Sequence, residues 1–337
     1  MPIPILGLLG IIAAATGVGK SAKAVIDQKD AQETNETAKE IVERAKNAAE
    51  KSRKKAGEAI TDLGNRKINI LNGSIVPLIT CFETLHIDAE LSESTRPEEL
   101  QNFKIDEQFF KRLREMGDMA SSVVGGAAGG VASGAAMAFG AYGAAMTFGT
   151  CATTGTLIST LHGVALTNAT LAFLGGGALS AGGLGIAGGA AVLGGLVVGP
   201  ALAIMGFVVG DKAKENKSKA HANLSDARKF EKEMHTVRVL CKAIRMRANM
   251  YERLLIKLDA ILAPLQYELE GIINEVGTDY STYSEEQKET VAATLATVAA
   301  IKAVIDTPIL TEGGNLTDES ATIPQSVTDV LKNFSNK

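Results

Sequence analysis

The stretch FEKEMHTVRVLCKAIRMRANMYERLLIKLDAILAPLQYELEGIINEV, residues 230–276, decides the fold. From Phe230 through Met234, Val237, Cys241, Ile244 and Ala248, its apolar positions alternate spacings of four and three. The alternation continues through Tyr251, Leu255, Leu258, Leu262, Leu265 and Leu269 to Ile272 and Val276. A seam of this length marks a long helix packed in a coiled coil or bundle. Leu240, Leu254 and Ile261 widen the stripe, so the helix is expected to bury more than one side. Leu255, Leu258, Leu262 and Leu265 form the seam expected to pair chains into a homo-oligomer, with Lys257 facing outward. Pro264 lacks a backbone N–H and predicts a kink about a turn before it. A helix from Lys212 to Val276 would span roughly 100 Å, which predicts an elongated molecule.

The N-terminal side repeats the pattern less cleanly. Asp30 to Arg66 is rich in Ala, Glu and Lys, with Ile41, Ala45, Ala48, Ala59 and Leu63 on one face. Ile68, Leu71, Ile75, Leu78, Phe82 and Leu85 recover the three-four alternation, with a second kink expected at Pro77. Ser92 to Pro97 reads as a break, and Glu98 to Gly117 as renewed helix. Beyond Val276, Ser284 followed by Gln287 reads as a capping box that starts a helix running to about Asp306, where Pro308 stops it. Thr311 to Pro324 reads as loop, and Val327, Val330, Leu331 and Phe334 fit one last amphipathic helix or a tail. Nothing alternates with period two, so the fold class is all-α: an elongated bundle of long helices.

Between the two helical arms the charges vanish. From Met119 to Gly210 there is no Asp, Glu, Lys or Arg, and this window holds 23 of the 35 glycines. The run exceeds the roughly 20 residues needed to cross a bilayer, leaving room for two to four crossings. Gly125, Gly126, Gly129, Gly130 and Gly134 overlap in three- and four-residue steps, and Gly185, Gly189, Gly195 and Gly199 make a second strip. Glycines so spaced share a helix face and let two backbones approach closely. The same glycines weaken a helix in water by about 1 kcal/mol each relative to Ala, so the block reads as a conditionally inserting helical hairpin. A buried small-residue core of the bundle is the alternative. Ala220 lies beyond the block among Lys217 and Lys219, and an arginine in its place is expected to change little.

Ile3 to Gly19 is a second uncharged stretch, with no basic residue before it, and reads as a membrane-interacting helix or a buried bundle helix rather than a secretory signal. Lys111, Arg112 and Arg114 outnumber Glu115 and Asp118 on one flank of the large block. Lys212, Lys214, Lys217 and Lys219 outnumber Asp211 and Glu215 on the other, and together they favour the cytoplasmic face of a membrane. The boundaries are therefore placed at 1–22 (apolar N-terminal helix), 23–118 (N-terminal arm), 119–210 (apolar block), 211–276 (C-terminal arm) and 277–337 (capping helix and tail).

Composition removes several function classes. A formal charge of −4 argues against a general nucleic-acid binder. Cys81, Cys151 and Cys241 are too few and too scattered for a disulfide framework or a thiolate zinc cluster. His86, His162, His221 and His235 have no metal-binding spacing, although His162 is the one histidine inside the block. Ala14 to Ser21 fits a relaxed Walker A pattern ending in Gly19-Lys20-Ser21, yet no Walker B strand follows it. Gly183, Gly185 and Gly188 match a dinucleotide fingerprint, but no βαβ unit surrounds them. No catalytic constellation emerges, so neither an enzyme nor a cofactor is expected, with P-loop nucleotide binding kept as a remote alternative.

Two long charged helices flanking a Gly/Ala-rich apolar hairpin resemble the α-helical pore-forming toxins of the cytolysin A type. The block also resembles the glycine-zipper segments of bacterial surface and effector proteins and of apolipoprotein L. The resemblance covers roughly Asp30 to Val276. It implies a helical bundle that meets a lipid membrane, inserts its hairpin, oligomerises through its long helices and perforates or perturbs the bilayer. A membrane-anchored coiled-coil scaffold, binding a protein partner through the long helices, is the alternative.

Overall fold

The structure is a computed structural model, and it describes residues 18–85, 107–125, 139–141, 217–311, 315–325 and 327. These residues are 92% helical with no strand, which makes the all-α class a finding. The elements are α1 (Val18–Ile70), a π-helical turn (Leu71–Ile75), α2 (Val76–Thr84), α3 (Glu107–Gly125), α4 (Lys217–Val276) and α5 (Glu285–Asp306). A short 3₁₀ turn, Tyr280–Thr282, links α4 to α5. The expected break at Ser92–Pro97 and most of the 119–210 block lie outside the described residues.

The described residues fall into two compact units. The first draws on Met1–Glu50 and Pro200–Thr236, the second on Lys51–Gly199 and Val237–Lys337. In the first, Ala38, Ile41 and Ala227 form a small core with Val42 and Leu224 packed against it. Alanine at the contact lets the helices approach closely, and Asn223 Nδ2 donates to Asn35 Oδ1 at 2.9 Å beside it. Ala220 is 1% exposed, so an arginine there would meet the core, against the expectation that it changes little. Its helix turns a small-residue face inward, and the two lysines just before it in sequence do not determine which way it points.

The second unit carries the main core. Cys241, Ile244, Ala248, Tyr251, Leu255, Leu258, Leu262 and Leu269 of α4 are buried in one cluster with residues of α1, α2, α3 and α5. The seam read from the sequence is therefore filled from within a single chain. Leu254 is buried as well, which gives the widened stripe its second contact, while Lys257 is exposed. α4 runs through Pro264 as one α-helix. Burying a Leu contributes about 1.5–3 kcal/mol, so each buried leucine of this seam adds cohesion on that scale.

Pro77 behaves as its chemistry requires. It is the second residue of α2, inside a run that stays helical from α1 through Ile75 and Val76, so its missing N–H forgoes one bond to the preceding turn. The preceding turn widens to π geometry from Leu71 to Ile75 and takes up the misfit. α3 is amphipathic: Phe109, Phe110, Leu113, Met116 and Ala120 are buried, and Lys111, Arg112 and Arg114 are exposed. Gly117 lets α3 close on α2, because a Cβ there would meet Val76 Cγ2 at 2.5 Å. α3 continues past Gly117, across the expected 118/119 boundary, to Gly125.

The capping box at Ser284 is present in both directions. The Gln287 N–H donates to Ser284 Oγ at 3.3 Å, and the Ser284 N–H donates to Gln287 Oε1 at 2.9 Å. α5 ends at Asp306 ahead of Pro308, as read. The Thr311–Pro324 loop is partly corrected, since residues 319–325 are helical and Leu310 pairs with Leu316 in an isolated antiparallel bridge. Asp318 and the Thr317 hydroxyl start that turn: the Ala321 N–H donates to Asp318 O, and the Ser320 N–H donates to Thr317 Oγ1. Arg247 and Tyr251 tie it to α4 through Ser320 Oγ at 2.9 Å and Ser320 O at 3.2 Å.

Candidate functional site: a buried lysine at the uncharged block

Residues 139–141 are the part of the uncharged block, beyond α3, that the structure describes. All three are buried and helical. Their three consecutive carbonyls accept hydrogen bonds from groups outside the block. Lys67 Nζ donates to Phe139 O and Gly140 O, both at 3.4 Å. The Ile309 and Leu310 N–H groups donate to Ala141 O at 2.7 and 3.1 Å. Lys67 Nζ also donates to Ile305 O of α5 at 3.1 Å, and lies 5.9 Å from the centre of the Phe139 ring.

Gly140 is the point of closest approach. A Cβ on it would lie 2.1 Å from Ile60 O and 3.0 Å from the Gly64 N, so only glycine fits against α1 here. The block thus uses a glycine for close packing, as its composition suggests. The backbone it meets belongs to α1, and neither Gly64 nor Gly140 is in the expected strips.

Lys67 sits in this contact with no solvent exposure. Removing an ammonium from water disfavours its charged form, and burial pushes the Lys67 pKa down to about 7 against a smaller upward pull from the Asp306 carboxylate. Asp306 Oδ2 is ion-paired with Lys302, whose ammonium lies 5.7 Å from the Phe109 ring centre. The other oxygen, Asp306 Oδ1, is buried without a hydrogen bond. An ammonium held by carbonyls, with one carboxylate nearby whose own bonding is incomplete, is a costly contact. A leucine in place of Lys67 would incur none of that charge burial.

The spacing along α1 and α2 carries a sign of this lysine. Ile60, Gly64, Lys67, Leu71, Ile75, Leu78 and Phe82 keep the three-four alternation, with a charged residue standing at a seam position. Of the expected glycine sites, Gly125 is the last residue of α3. Gly126, Gly129, Gly130, Gly134, Gly185, Gly189, Gly195 and Gly199 lie outside the described residues. Of the expected oligomer seam, Leu255, Leu258 and Leu262 are buried within the chain, and Leu265 is half-buried.

Among the described residues no helix is long and apolar enough to cross a membrane. No cluster of His, Cys, Asp and Glu among them could hold a metal ion. Cys81 and Cys241 are free thiols, and burial pushes both up from the usual thiol range. Val18 to Ser21 of the Walker-like stretch are helical, and its residues 14–17 lie outside the description, as do Gly183, Gly185, Gly188, His86, His162 and Cys151. In comparisons with known proteins, the chain matches no family model, no curated protein and no solved structure.

Proposed function

We propose that this chain is a membrane-associating helical protein whose uncharged block rests on a helical body and transfers conditionally into a bilayer, where it oligomerises and perturbs or perforates the membrane. The single observation behind this reading is the pairing of a charge-free run of 92 residues, Met119 to Gly210, with a body that buries its own apolar seam. Helices α1, α2, α3 and α5 supply the cluster around α4, and the described residues of the block that join it are Ala120, Phe139 and Ala141. The described turn of the block is held through a desolvated lysine and backbone carbonyls, which is a contact suited to release. Its glycines give little hydrophobic energy per residue, so a modest change in conditions shifts the balance between body and lipid.

The test is dye release from liposomes together with flotation. Ala191→Arg puts a charge between the Gly188-Gly189 and Gly194-Gly195 pairs, at a cost of about 2.5–3.5 kcal/mol in the middle of a crossing. It is expected to leave the helical body folded and to abolish release. Ala222→Arg, at an exposed position of α4, is the control and is expected to release dye like the parent. Loss of solubility and helical content in Ala191→Arg, with no release by the parent, would refute the reading. A permanent anchor bearing a helical scaffold would instead stay in the membrane pellet after carbonate extraction under all conditions, whereas conditional insertion yields both soluble and membrane-bound protein.

A further inference from the structure

The chain as a whole is acidic, but one segment of α4 is not. Between Arg238 and Lys257 there are six basic residues and a single acidic one, Glu252. Helical spacing brings much of that charge to the side opposite the buried seam. Val239, Met246 and Met250 stand there at 55%, 61% and 38% exposure. Lys242, Arg253 and Lys257 are exposed beside them, and no ion pair among the described residues engages these three. The result is a strip about 27 Å long in which apolar side chains alternate with long cationic ones. At its C-terminal end the strip borders an open groove of about 600 Å³, lined also by Leu254, Ala321, Pro324 and Gln325.

We propose that this outward face of α4 docks on the anionic headgroups of a lipid bilayer. Charge complementarity selects the partner: exposed cations that no ion pair engages among the described residues favour a surface dense in negative charge. The apolar members then select lipid over other polyanions, because Val239, Met246 and Met250 gain by entering the headgroup–acyl boundary and gain nothing against phosphodiester strands. Flexible lysine and arginine stems keep their charges at headgroup level while methionines reach below it. The strip is straight and its side chains adaptable, which suits a fluid surface better than a shaped protein pocket. This inference rests on the reading that the chain meets a membrane, and supplies the contact that precedes insertion of the block.

The experiment uses the full chain with two vesicle types, phosphatidylcholine alone and phosphatidylcholine mixed with phosphatidylserine. The parent is expected to float with the anionic vesicles and to lose that binding as salt is raised. Each basic residue near an anionic surface is worth about 1 kcal/mol, so Lys242→Gln, Arg253→Gln and Lys257→Gln together are expected to weaken partitioning by roughly a hundredfold. Met246→Ser with Met250→Ser is expected to weaken binding while leaving its salt dependence intact. All five positions are exposed or border solvent, so an unchanged thermal midpoint shows that folding is preserved. Binding of the triple variant equal to that of the parent would overturn the inference, even if both released dye. Binding by the parent without dye release would uphold the docking face and count against block insertion alone. Failure of the parent to bind either vesicle would overturn the docking face and leave an acidic polypeptide as the surface's better match.

Discussion

Replacing Lys67 with methionine isolates the cost of the buried ammonium. The folded-state pKa of about 7 stands below the ordinary lysine value of 10.5, so between these values the unfolded chain carries more protons than the folded one. Stability therefore rises with pH across this window and, as far as Lys67 is concerned, is flat below it. The full difference is worth on the order of 5 kcal/mol, and the part falling between pH 6.5 and 8.5 is about 2 kcal/mol. Acidification toward neutrality thus loosens the contact that holds residues 139–141, whose other ionisable neighbours are Asp306 and its partner Lys302. Lys67→Met keeps most of the length of the side chain, leaves three carbonyls without their donor, and removes the proton linkage. Urea unfolding of the parent and the variant at pH 6.5, 7.5 and 8.5 measures the effect. The parent should gain stability over the series and the variant should not share that slope. Parallel lines for the two proteins would refute the assignment of the linkage to Lys67.

Three further outcomes follow from the packing. Leu258→Asp removes about 1.5–3 kcal/mol of burial and places a carboxylate in the core, so it should lower the thermal midpoint sharply, whereas Ala260→Asp on the exposed side of α4 should barely move it. Equal effects would mean that the register of the seam is wrong. Gly140→Ala should destabilise the second unit and speed hydrogen exchange at Ile309 and Leu310, whose N–H groups bond to Ala141 O, because the added Cβ cannot fit 2.1 Å from Ile60 O. Unchanged exchange would show that the turn does not rest on α1. Ser284→Ala should cost about 1 kcal/mol in chemical denaturation through loss of the cap on α5, and a silent variant would mean that the end of the helix is held by its packing alone.

Periodicity made the arms legible because a helix that buries one face must repeat its apolar residues every three to four positions. α4 ends at Val276 and α5 runs from the Ser284 cap to Asp306, both as read, since the sequence there carries a seam, a cap and a proline stop. The partner of the seam was not legible. A stripe of leucines specifies that it will be covered without specifying by which chain, and here α1, α2, α3 and α5 supply the cover. Lys67 escaped notice because charged residues are ordinarily assigned to the solvent side, and nothing local announces three carbonyl acceptors drawn from distant segments. Gly140 escaped for the opposite reason, since a block with 23 glycines offers too many candidates for close approach. The cationic face of α4 was hidden by averaging, because a net charge of −4 conceals a local excess across Arg238 to Lys257.

The claim that the block moves into lipid can be tested with a single fluorophore, since the chain contains no tryptophan. Ala191→Trp reports from the middle of the uncharged block, and Tyr267→Trp, at a side chain 79% exposed on α4, reports from the body. Emission is recorded with and without vesicles, some carrying brominated acyl chains that quench tryptophan at bilayer depth. The account predicts that the Ala191→Trp emission is quenched by brominated lipid while that of Tyr267→Trp is not. An Ala191→Trp signal that is already blue-shifted in the absence of vesicles, and that brominated lipid leaves untouched, would contradict it and identify the block as part of a permanent protein core.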